Sequence, residues 1–570
     1  MSLHNTSVAA STACLIAASL FLLGSCGGGA ADAVNSAGNA STSGASGSAG
    51  TGSGSGGSGS TATPTVRTDV VTYKNDLGRT GQNLTESLLT LTNVASTSFG
   101  LLRNLSVDGK VDAQPLYLSQ LTIKNAAHNV VYVATEADSV YAFDSDTGGT
   151  PLWHVSLLPS GETLSDTHGC GQVTPAIGIT STPVIDRTAG PNGVIYVVAM
   201  SKDSSSAYHQ RLHALDVTTG AELFGGPISI TATYAAGAPG GAGATFEPGQ
   251  YEERAALLLS QGTVYTSWTS HCDGAPYSGW IMAYNQTTLA QTAVLSIGPN
   301  SSSGPAIWMA GGGPGADSSG NIYLLAANGA FETTLDSNGF PSKQDYGNSF
   351  LKLAATASSL TVSDYFAMSN EVDESNADQD LGSGGELLLP DLTDSTNTVR
   401  HLIVGAGKDT NIYVVNRDNM GKFNSASNSI WQQLSGVLGG GVWATPAYYN
   451  GTVYYGDAGG TLKAFAITNA KLATAPASQS STQFPFPGTA PAISANGTAN
   501  GIVWTHENTS QAVLHAYDAS NLAHELYNST QAANNRDQFG AGNKFITPTI
   551  ADGKVFVGTQ NSVAVFGLLQ

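Results

Sequence analysis

Charged side chains are scarce in this 570-residue sequence, where Asp, Glu, Lys and Arg together make up only 11 per cent. Basic residues are the scarcer sign, with 21 Lys and Arg against 41 Asp and Glu and a formal net charge of −20. So few basic residues argue against a nucleic-acid partner, because phosphate binding depends on clustered Lys and Arg. The low charge and the 68 glycines also argue against helical bundles and coiled coils.

The sequence also lacks the short motifs of several common enzymes. It contains no Gly-x-Ser-x-Gly elbow, no phosphate-binding Walker loop and no His-Glu-x-x-His metal motif. It contains no Cys-x-x-Cys-His haem attachment site. A redox enzyme built on this chain would therefore need an external electron acceptor.

Long apolar runs are missing except for ACLIAASLFLLGSC at 13–26, inside a stretch 1–26 without Lys, Arg, Asp or Glu. The run is short for a membrane span and has the length of a signal-peptide core. Its end, Leu-Gly-Ser-Cys, resembles the lipobox of bacterial lipoproteins, in which cleavage precedes an acylated Cys. The resemblance implies export, with membrane contact only through a lipid anchor at Cys26, in the periplasm or outer membrane or at the cell surface. A buried helix and a linker are the alternative, because only His4 could be positive ahead of the run.

Residues 27–66 are almost entirely Gly, Ser, Ala and Thr, a composition that cannot bury enough apolar surface to fold. We predict a flexible tether there, followed by a folded body over residues 67–570. Of the four cysteines, Cys170 and Cys272 fall in the body. In an oxidising compartment such a pair is expected to form a disulfide, and two separate buried thiols are the alternative.

The body repeats one phrase, in which a β-branched and aromatic run, a polar turn and a second such run follow one another. Alternating apolar and polar residues around Gly, Asp or Asn turns predict β-hairpins. The eight copies begin at residues 130, 194, 263, 321, 401, 452, 501 and 554.

Copies about 50–80 residues apart predict an all-β propeller of eight four-stranded antiparallel blades, because one blade alone cannot bury both its faces. The segment DVVTYKND at 69–76 is predicted to close the ring by pairing with SVAVFGLLQ at 562–570. A pair of sandwiches is the alternative fold, but it does not explain the repeated phrase.

The first copy ends in VYAFDSDTGGTPLW, which contains Ala142, Asp144, Thr147, Gly148 and Trp153. This resembles the tryptophan-docking repeat of pyrroloquinoline quinone (PQQ) propellers, in which the Trp stacks between blades against a neighbouring peptide. The resemblance spans 69–570, with weaker copies at 212–224 and 514–527. It implies the fold but no single activity, because the superfamily contains both quinoprotein dehydrogenases and catalytically silent scaffolds.

Quinoprotein alcohol dehydrogenases hold PQQ at the propeller axis with a stacking Trp, a hard cation such as Ca²⁺, a carboxylate base and a Lys or Arg. The resemblance assigns stacking to Trp308 and metal binding to Asn328. It assigns the base and a further metal ligand to Asp380, and quinone contact to Lys408. The 28-residue interval between Asp380 and Lys408 is similar to the family's spacing.

The sequence also departs from that family. Asn328 follows Ala326 and Ala327 where the family has Thr-Gly or Ser-Gly, and the family's adjacent Cys-Cys pair is absent. The metal-binding Glu is replaced, so that SHCDGAPYSGW offers Asp273 or His271 as the oxygen or nitrogen donor. These departures put Ca²⁺ binding in doubt.

Each site residue also has a structural alternative. Trp308 is then a packing residue and Asn328 a turn residue. The acids Glu371, Asp373, Glu374, Asp378 and Asp380 are then a solvated loop.

Three functions stay open. The first is a non-catalytic binding or scaffold module of the cell envelope with protein partners, similar to the outer-membrane assembly lipoprotein of this fold. The second is a PQQ- and metal-dependent dehydrogenase of an alcohol or sugar. The third is a protein that binds or hydrolyses polysaccharide on a Tyr- and Trp-lined face. A dehydrogenase predicts that Trp308, Asn328, Asp380 and Lys408 meet in one axial pocket, whereas a scaffold predicts that they point apart and that one face is apolar.

Overall fold

The computed structural model describes residues 68–235, 243–301 and 303–570. The predicted signal segment 1–26 and tether 27–66 lie outside the described residues. The described part is dominated by β-strands. Its helical elements are the α-helix Glu371–Asn376 and the 3₁₀ turns Met309–Gly311, Leu381–Ser383 and Ala533–Asn535. None of the described helices is long and apolar enough to cross a membrane.

Eight antiparallel sheets, each with four main strands, form the blades of a propeller. From the innermost strand outward, blade 1 contains Leu116–Ile123, Ala126–Thr135, Ser139–Asp144 and Trp153–Ser156. Blade 2 contains Val184–Asp186, Val194–Lys202, Tyr208–Asp216 and Ile228–Ser229. Blade 3 contains Leu258–Ser260, Thr263–Ser270, Trp280–Asn285 and Gln291–Ser296. Blade 4 contains Gly315–Ala316, Ile322–Leu325, Ser349–Ala355 and Leu360–Ala367.

The second half of the ring continues this order. Blade 5 contains Glu386–Leu388, Leu402–Gly405, Ile412–Asn416 and Gln432–Leu434. Blade 6 contains Ala447–Tyr449, Thr452–Gly456, Thr461–Thr468 and Ser478–Gln483. Blade 7 contains Ala492–Asn496, Ala499–Glu507, Val513–Asp518 and Glu525–Asn528. Blade 8 contains Thr549–Ala551, Lys554–Gly558, Ser562–Leu568 and Phe99–Ser106.

Additional short strands pair with strands of four blades. Thr163–Leu164 extends blade 2, Tyr251–Glu252 extends blade 3, Lys471–Leu472 pairs with a strand of blade 6, and Gln82–Asn83 joins blade 7 in parallel. Two small hairpins stand outside the blades, formed by Thr233–Tyr234 with Ala244–Thr245 and by Leu392–Thr393 with Val399–Arg400.

The repeated phrase is the middle of each blade. In seven of the eight copies its two runs are the paired second and third strands, which confirms the hairpin prediction there. The copy that begins at 321 differs, because Ile322–Leu325 pairs with Ser349–Ala355 after the long loop 326–348. That loop begins beside Asn328, one of the predicted site residues.

The ring closes through a different strand from the predicted one. Phe99–Ser106, and not 69–76, pairs with Ser562–Leu568 and completes blade 8. The segment 69–76 is not a regular strand, because Lys74 and Asn75 adopt φ angles of 56° and 73°, outside the β region. An N-terminal strand therefore closes the ring, as expected, but it comes later in the chain.

Residues 70–83, named here the axial strap, lie inside the ring of innermost strands. Backbone carbonyls of the strap accept N–H groups from six blades, in the pairs Val70–Tyr117, Val71–Ile185, Leu77–Ala316, Gly78–Leu388, Thr80–Tyr448 and Gly81–Ile493. The Asn83 side chain donates to the Ile550 carbonyl of blade 8 at 2.9 Å. Through these contacts the strap bonds directly to every blade except blade 3.

A buried apolar cluster lies at each interface between neighbouring blades. Trp153 of blade 1 belongs to such a cluster, and its indole N–H donates to the Val217 carbonyl next to blade 2 at 3.0 Å. In the turn that precedes Trp153, Asp144 accepts hydrogen bonds from the backbone N–H groups of Asp146 and Thr147, both at 2.9 Å, and so tightens the turn. The docking role that the repeat implied for Trp153 is confirmed.

Blade 7 contains a buried histidine between two carboxylates. His515 Nδ1 lies 2.7 Å from Glu525 Oε1, and His515 Nε2 lies 2.9 Å from Glu507 Oε1. Burial by itself lowers the pKa of His515, but the two carboxylates outweigh it and the pKa is raised. The other groups against the ring are Tyr517, whose hydroxyl lies 3.3 Å from Nδ1, and Phe484. The folded state therefore favours the imidazolium.

The free energy of unfolding is expected to depend on pH through His515. A raised pKa contributes stability that is complete below the ordinary histidine pKa of about 6.5 and is lost as the pH rises through the folded-state pKa. His515→Gln should lower the free energy of unfolding by about 1.5–3 kcal/mol at acidic pH and remove this pH dependence. Urea unfolding across that range measures both, with His524→Gln as the matched surface control. Equal pH slopes for wild type and His515→Gln would contradict the prediction.

Candidate functional site

Three of the predicted site residues meet where blades 4 and 5 adjoin. Asn328 follows the second strand of blade 4, Lys408 follows the second strand of blade 5, and Asp380 precedes the inner strand of blade 5. The Asn328 backbone N–H donates to Asp380 Oδ1 at 3.1 Å. The Lys408 backbone N–H donates to the Asp380 carbonyl at 3.0 Å, and its Nζ lies 3.8 Å from Asp380 Oδ2.

Asp378 also belongs to this group, although the sequence indicated only a member of an acidic loop. Its Oδ1 accepts the Asn328 side-chain amide at 2.9 Å and the Lys408 ammonium at 2.8 Å. Asp378 therefore holds two of the three predicted side chains in place. Its spacing from Asp380 carried no signal for this, because the contact depends on how the loop turns back toward blade 4.

The carboxyl group of Asp380 is fully buried, with 0 % of the residue exposed. Burial raises its pKa to about 6. The Lys408 ammonium lowers this pKa, Asp378 raises it, the Asn328 N–H lowers it and Asp273 raises it. A carboxyl group with such a pKa can take up a proton near neutral pH, as a general base must.

Trp308 lies near this group but is itself packed. It is 4 % exposed and shares a buried cluster with Ala306 and Ala327, against which Tyr277 packs. Burial raises the pKa of Tyr277, and the charges of Asp273 and Asp380 raise it further. Tyr277 therefore links Trp308 to the carboxylates, and the stacking role of Trp308 stays a prediction.

A second tryptophan, Trp443, lies beside Lys408 and is only half-buried. Gly441 lies against both residues. A Cβ at position 441 would come within 2.8 Å of a Trp443 ring carbon and within 3.1 Å of the Lys408 Cα. Phe486 packs against the Trp443 ring in an edge-on contact with centroids 5.0 Å apart. Trp443 is thus a more accessible aromatic surface than Trp308, and its sequence context did not reveal this.

Arg254 and Phe545 meet near the axis from blades 3 and 8. The guanidinium carbon of Arg254 lies 4.8 Å from the Phe545 ring centroid, close enough for a cation–π contact. Gly311 of blade 4 adjoins both, since a Cβ there would lie 3.8 Å from Phe545 and 3.9 Å from Arg254. Residues from distant blades therefore touch here, and the channel is narrow at this level.

The loop that carries Asp273 is tied to the loop after blade 1. Cys170 and Cys272 form a disulfide with Cα atoms 6.3 Å apart. His271, the other residue considered as a substitute metal ligand, turns away from Asp380. Its Nε2 lies 2.8 Å from the Thr167 carbonyl, and its Nδ1 lies 3.5 Å from Glu252.

The donor set around Asp380 fits a hard cation. Among the described residues, Asp380 Oδ2 accepts no hydrogen bond although it is buried, and a buried carboxylate oxygen needs a partner. The side-chain oxygen of Asn328 is a further oxygen donor of the kind that Ca²⁺ prefers, and Asp273 is near enough for its charge to raise the pKa of Asp380. The ammonium of Lys408 and the aromatic face of Trp443 suit an anionic, flat organic ligand.

No model of a protein family matches the sequence, and no curated protein matches it. Solved structures with the same architecture do. A quinohemoprotein alcohol dehydrogenase from Comamonas testosteroni superposes with a TM-score of 0.56 at 16% identity, covering 88% of this chain and 80% of that one. A quinohemoprotein alcohol dehydrogenase from Pseudomonas putida gives 0.54 at 13% identity, with 88% and 80% covered.

A europium-containing methanol dehydrogenase also superposes, with a TM-score of 0.54 at 13% identity over 88% of this chain and 98% of that one. Identities this low show the fold and nothing finer. The described part of the chain is an eight-bladed β-propeller with the same architecture as these solved structures.

Proposed function

We propose that this protein is a quinoprotein-type oxidoreductase that binds PQQ and a divalent cation at the site formed by Asn328, Asp378, Asp380 and Lys408, and that it oxidises an alcohol or a sugar. One observation carries the proposal. The sequence resemblance assigns Asn328, Asp380 and Lys408 to one site, and Asn328 and Lys408 both contact Asp380 although 80 residues separate them. The fold shared with alcohol and methanol dehydrogenases supports it.

Bound PQQ would supply the two-electron acceptor for the oxidation. Asp380 and Asn328 would hold the cation through oxygen atoms, with Asp273 as a further donor. Asp380 would accept the proton of the substrate hydroxyl, as a buried carboxylate beside the substrate can. Asp378 fixes the Lys408 ammonium at 2.8 Å, so that Lys408 can face an anionic ligand without rearranging.

A scaffold role is less well supported by the surface. Within the described residues, the large apolar side chains that are exposed are Leu84, Leu88, Val372, Val399 and Phe486. Only Leu84 and Leu88 share a segment, and the other three come from separate ones, whereas a protein-binding face needs a contiguous apolar patch of a few hundred Å². The contacts among Asn328, Asp380 and Lys408 also differ from the scattered arrangement that a scaffold predicts.

Reconstitution tests the proposal. Purified protein is incubated with PQQ and Ca²⁺, excess ligand is removed, and the retained quinone is measured by its absorbance. We expect about one quinone per chain and quinone-dependent alcohol oxidation with an artificial electron acceptor. No retention with Ca²⁺ or any other divalent cation would overturn the proposal and favour the scaffold.

Two tryptophan variants refine this test. If Trp443 is the stacking surface, Trp443→Ala should weaken quinone retention by about 2–13-fold through lost stacking alone, which corresponds to about 0.5–1.5 kcal/mol, and further through the apolar contact area that is lost. If Trp308 is, Trp308→Ala should do so. Trp431→Ala is the control, because Trp431 lies on the outer part of blade 5 with its N–H donating to Ala470.

We further propose that the protein is exported and lipid-anchored through Cys26. Cys26→Ala should move the protein from the membrane fraction to the soluble fraction of the producing bacterium, because the acylated thiol is lost. Cys14→Ala, which changes the other cysteine of the apolar run, should leave the distribution unchanged. Equal membrane fractions for wild type and Cys26→Ala would contradict the lipobox interpretation.

A further inference from the structure

Outside the proposed quinone site, Cys170, His271 and Cys272 bring three soft or borderline ligand atoms together. One ligand atom from each residue lies within 4.8 Å of the other two. Cys272 Sγ lies 3.7 Å from His271 Nε2. A sulfur and a nitrogen bound to one tetrahedral zinc stand about 3.5 Å apart, given Zn–S and Zn–N bonds of about 2.3 and 2.0–2.1 Å. The sulfur–nitrogen spacing therefore already suits a shared metal.

The far side of His271 is built as metal-binding histidines usually are. His271 Nδ1 faces Glu252 Oε2 at 3.5 Å, and the two residues are only 5 % and 1 % exposed. Neither oxygen of Glu252 accepts a hydrogen bond from the described residues. A buried carboxylate behind the second ring nitrogen fixes the tautomer of a metal-binding histidine, and Nε2, which here lies 2.8 Å from the Thr167 carbonyl, would exchange that hydrogen bond for the metal. If Glu252 orients His271 in this way, its buried carboxylate has a function.

A second histidine, His168, lies next to His271. His168 precedes Cys170 by two residues, and its ring centroid lies 4.7 Å from that of His271. Its Nε2 lies 3.5 Å from the Ser165 hydroxyl, a weak contact at that distance. Because the ligand atoms that lie within 4.8 Å of one another come only from Cys170, His271 and Cys272 among the described residues, His168 would have to move closer to complete a Cys₂His₂ set, and a water would otherwise take the fourth position.

We propose that Cys170, Cys272 and His271 form a redox-gated site for a borderline-soft cation such as Zn²⁺, which is closed while the disulfide is formed. A thiol reductant opens it. The reductant supplies two electrons, which break the S–S bond, and two protons, which give two thiols, while the reductant becomes a disulfide. Metal binding then releases those two protons, because thiolates are the ligands. Its test needs no quinone, although Cys272 adjoins Asp273, the further cation donor proposed for the quinone site.

Cobalt titration tests the proposal, with Co²⁺ as the spectroscopic probe. The titrated chain carries Cys14→Ser and Cys26→Ser, which removes the two other cysteines. It is reduced with dithiothreitol under argon, freed of reductant and titrated. We expect one Co²⁺ per chain, with thiolate charge-transfer absorption, the visible bands of tetrahedral Co²⁺ and displacement by Zn²⁺. The unreduced protein should show none of these.

Variants separate the ligands from the supporting residues. Glu252→Gln should weaken Co²⁺ binding by about 10–100-fold while keeping the tetrahedral spectrum, which is the effect of losing an orienting partner. His271→Gln should weaken it further and change the spectrum. His168→Gln changes the spectrum only if His168 is the fourth ligand. His209→Gln, which alters a histidine paired with Asp203 on blade 2, should change nothing.

Three results would overturn the proposal. One is equal binding by reduced and oxidised protein, and a second is an octahedral spectrum without thiolate bands. The third is retention of the site after Cys170→Ser and Cys272→Ser are combined. Circular dichroism is recorded with each titration to show whether the reduced protein is folded. A reduced protein that has unfolded cannot contain the site, and that result would also contradict the proposal.

Discussion

Asp380→Asn is expected to lower alcohol-dependent turnover of the PQQ- and Ca²⁺-loaded protein by at least about 100-fold, the usual contribution of a general base. The amide keeps an oxygen that can accept the Asn328 N–H, which now lies 3.1 Å from Asp380 Oδ1. It cannot take up the hydroxyl proton. Quinone retention should therefore stay close to the wild-type value at saturating Ca²⁺, and only turnover should collapse.

Asp373→Asn is the matched control for this change. Asp373 lies in the short helix Glu371–Asn376 and is exposed, so that the variant alters the same functional group a few residues away. Its turnover should equal that of the wild type. Turnover of Asp380→Asn within about threefold of the control would show that Asp380 is not the base.

The pH dependence of turnover provides an independent test of Asp380. Burial raises the pKa of Asp380 to about 6 before the cation binds, and a bound cation would lower this pKa, so that turnover should rise with pH through a value below 6 as the carboxylate ionises. The charge of Asp378 contributes to this raised pKa. Asp378→Asn should therefore shift the rising limb toward lower pH. A limb that stays in place, or that moves upward, would mean that another group controls the profile.

The architecture was predictable because it depends on a local sequence pattern. Each blade repeats two runs of alternating apolar and polar residues around a polar turn. This pattern can be recognised in the sequence without knowing which blades are neighbours. Ring closure was not predictable in the same way. The strand FGLLRNLS at 99–106 closes blade 8, but nothing local distinguishes a closing strand from any other, because its partner lies at the far end of the chain.

The site was predictable where it depends on spacing and not where it depends on loop direction. Asp380 and Lys408 occupy equivalent ends of neighbouring strands within one blade, so that a fixed interval brings them together. Asp378, Tyr277 and Trp443 belong to loops whose paths are set by tertiary contacts. His271 shows the converse: its sequence position suggested a substitute ligand near Asp380, but Thr167 and Glu252 hold it elsewhere.

Lys74→Met should destabilise the whole propeller by at least about 3 kcal/mol, because each buried carbonyl left without a donor costs about 1–3 kcal/mol. Lys74 is 1 % exposed. Its ammonium donates to the carbonyls of Thr445 at 3.0 Å, Pro446 at 3.1 Å and Pro491 at 2.5 Å. Methionine has a similar length but no donor, so that all three carbonyls lose this partner. Urea unfolding followed by tryptophan fluorescence measures the change.

The axial strap explains why one side chain has so large an effect. Its carbonyls bond to the inner strands of blades from both halves of the ring, and Lys74 adds contacts to the segments that lead into blades 6 and 7. Loss of these contacts removes a connection between blades that are far apart in sequence. Lys124→Met is the control, since the Lys124 ammonium also donates to a carbonyl, that of Leu152 at 3.0 Å, but on the exposed surface. It should change the free energy of unfolding by no more than about 0.5 kcal/mol. Equal effects of the two variants would show that the strap occupies the channel without stabilising the ring.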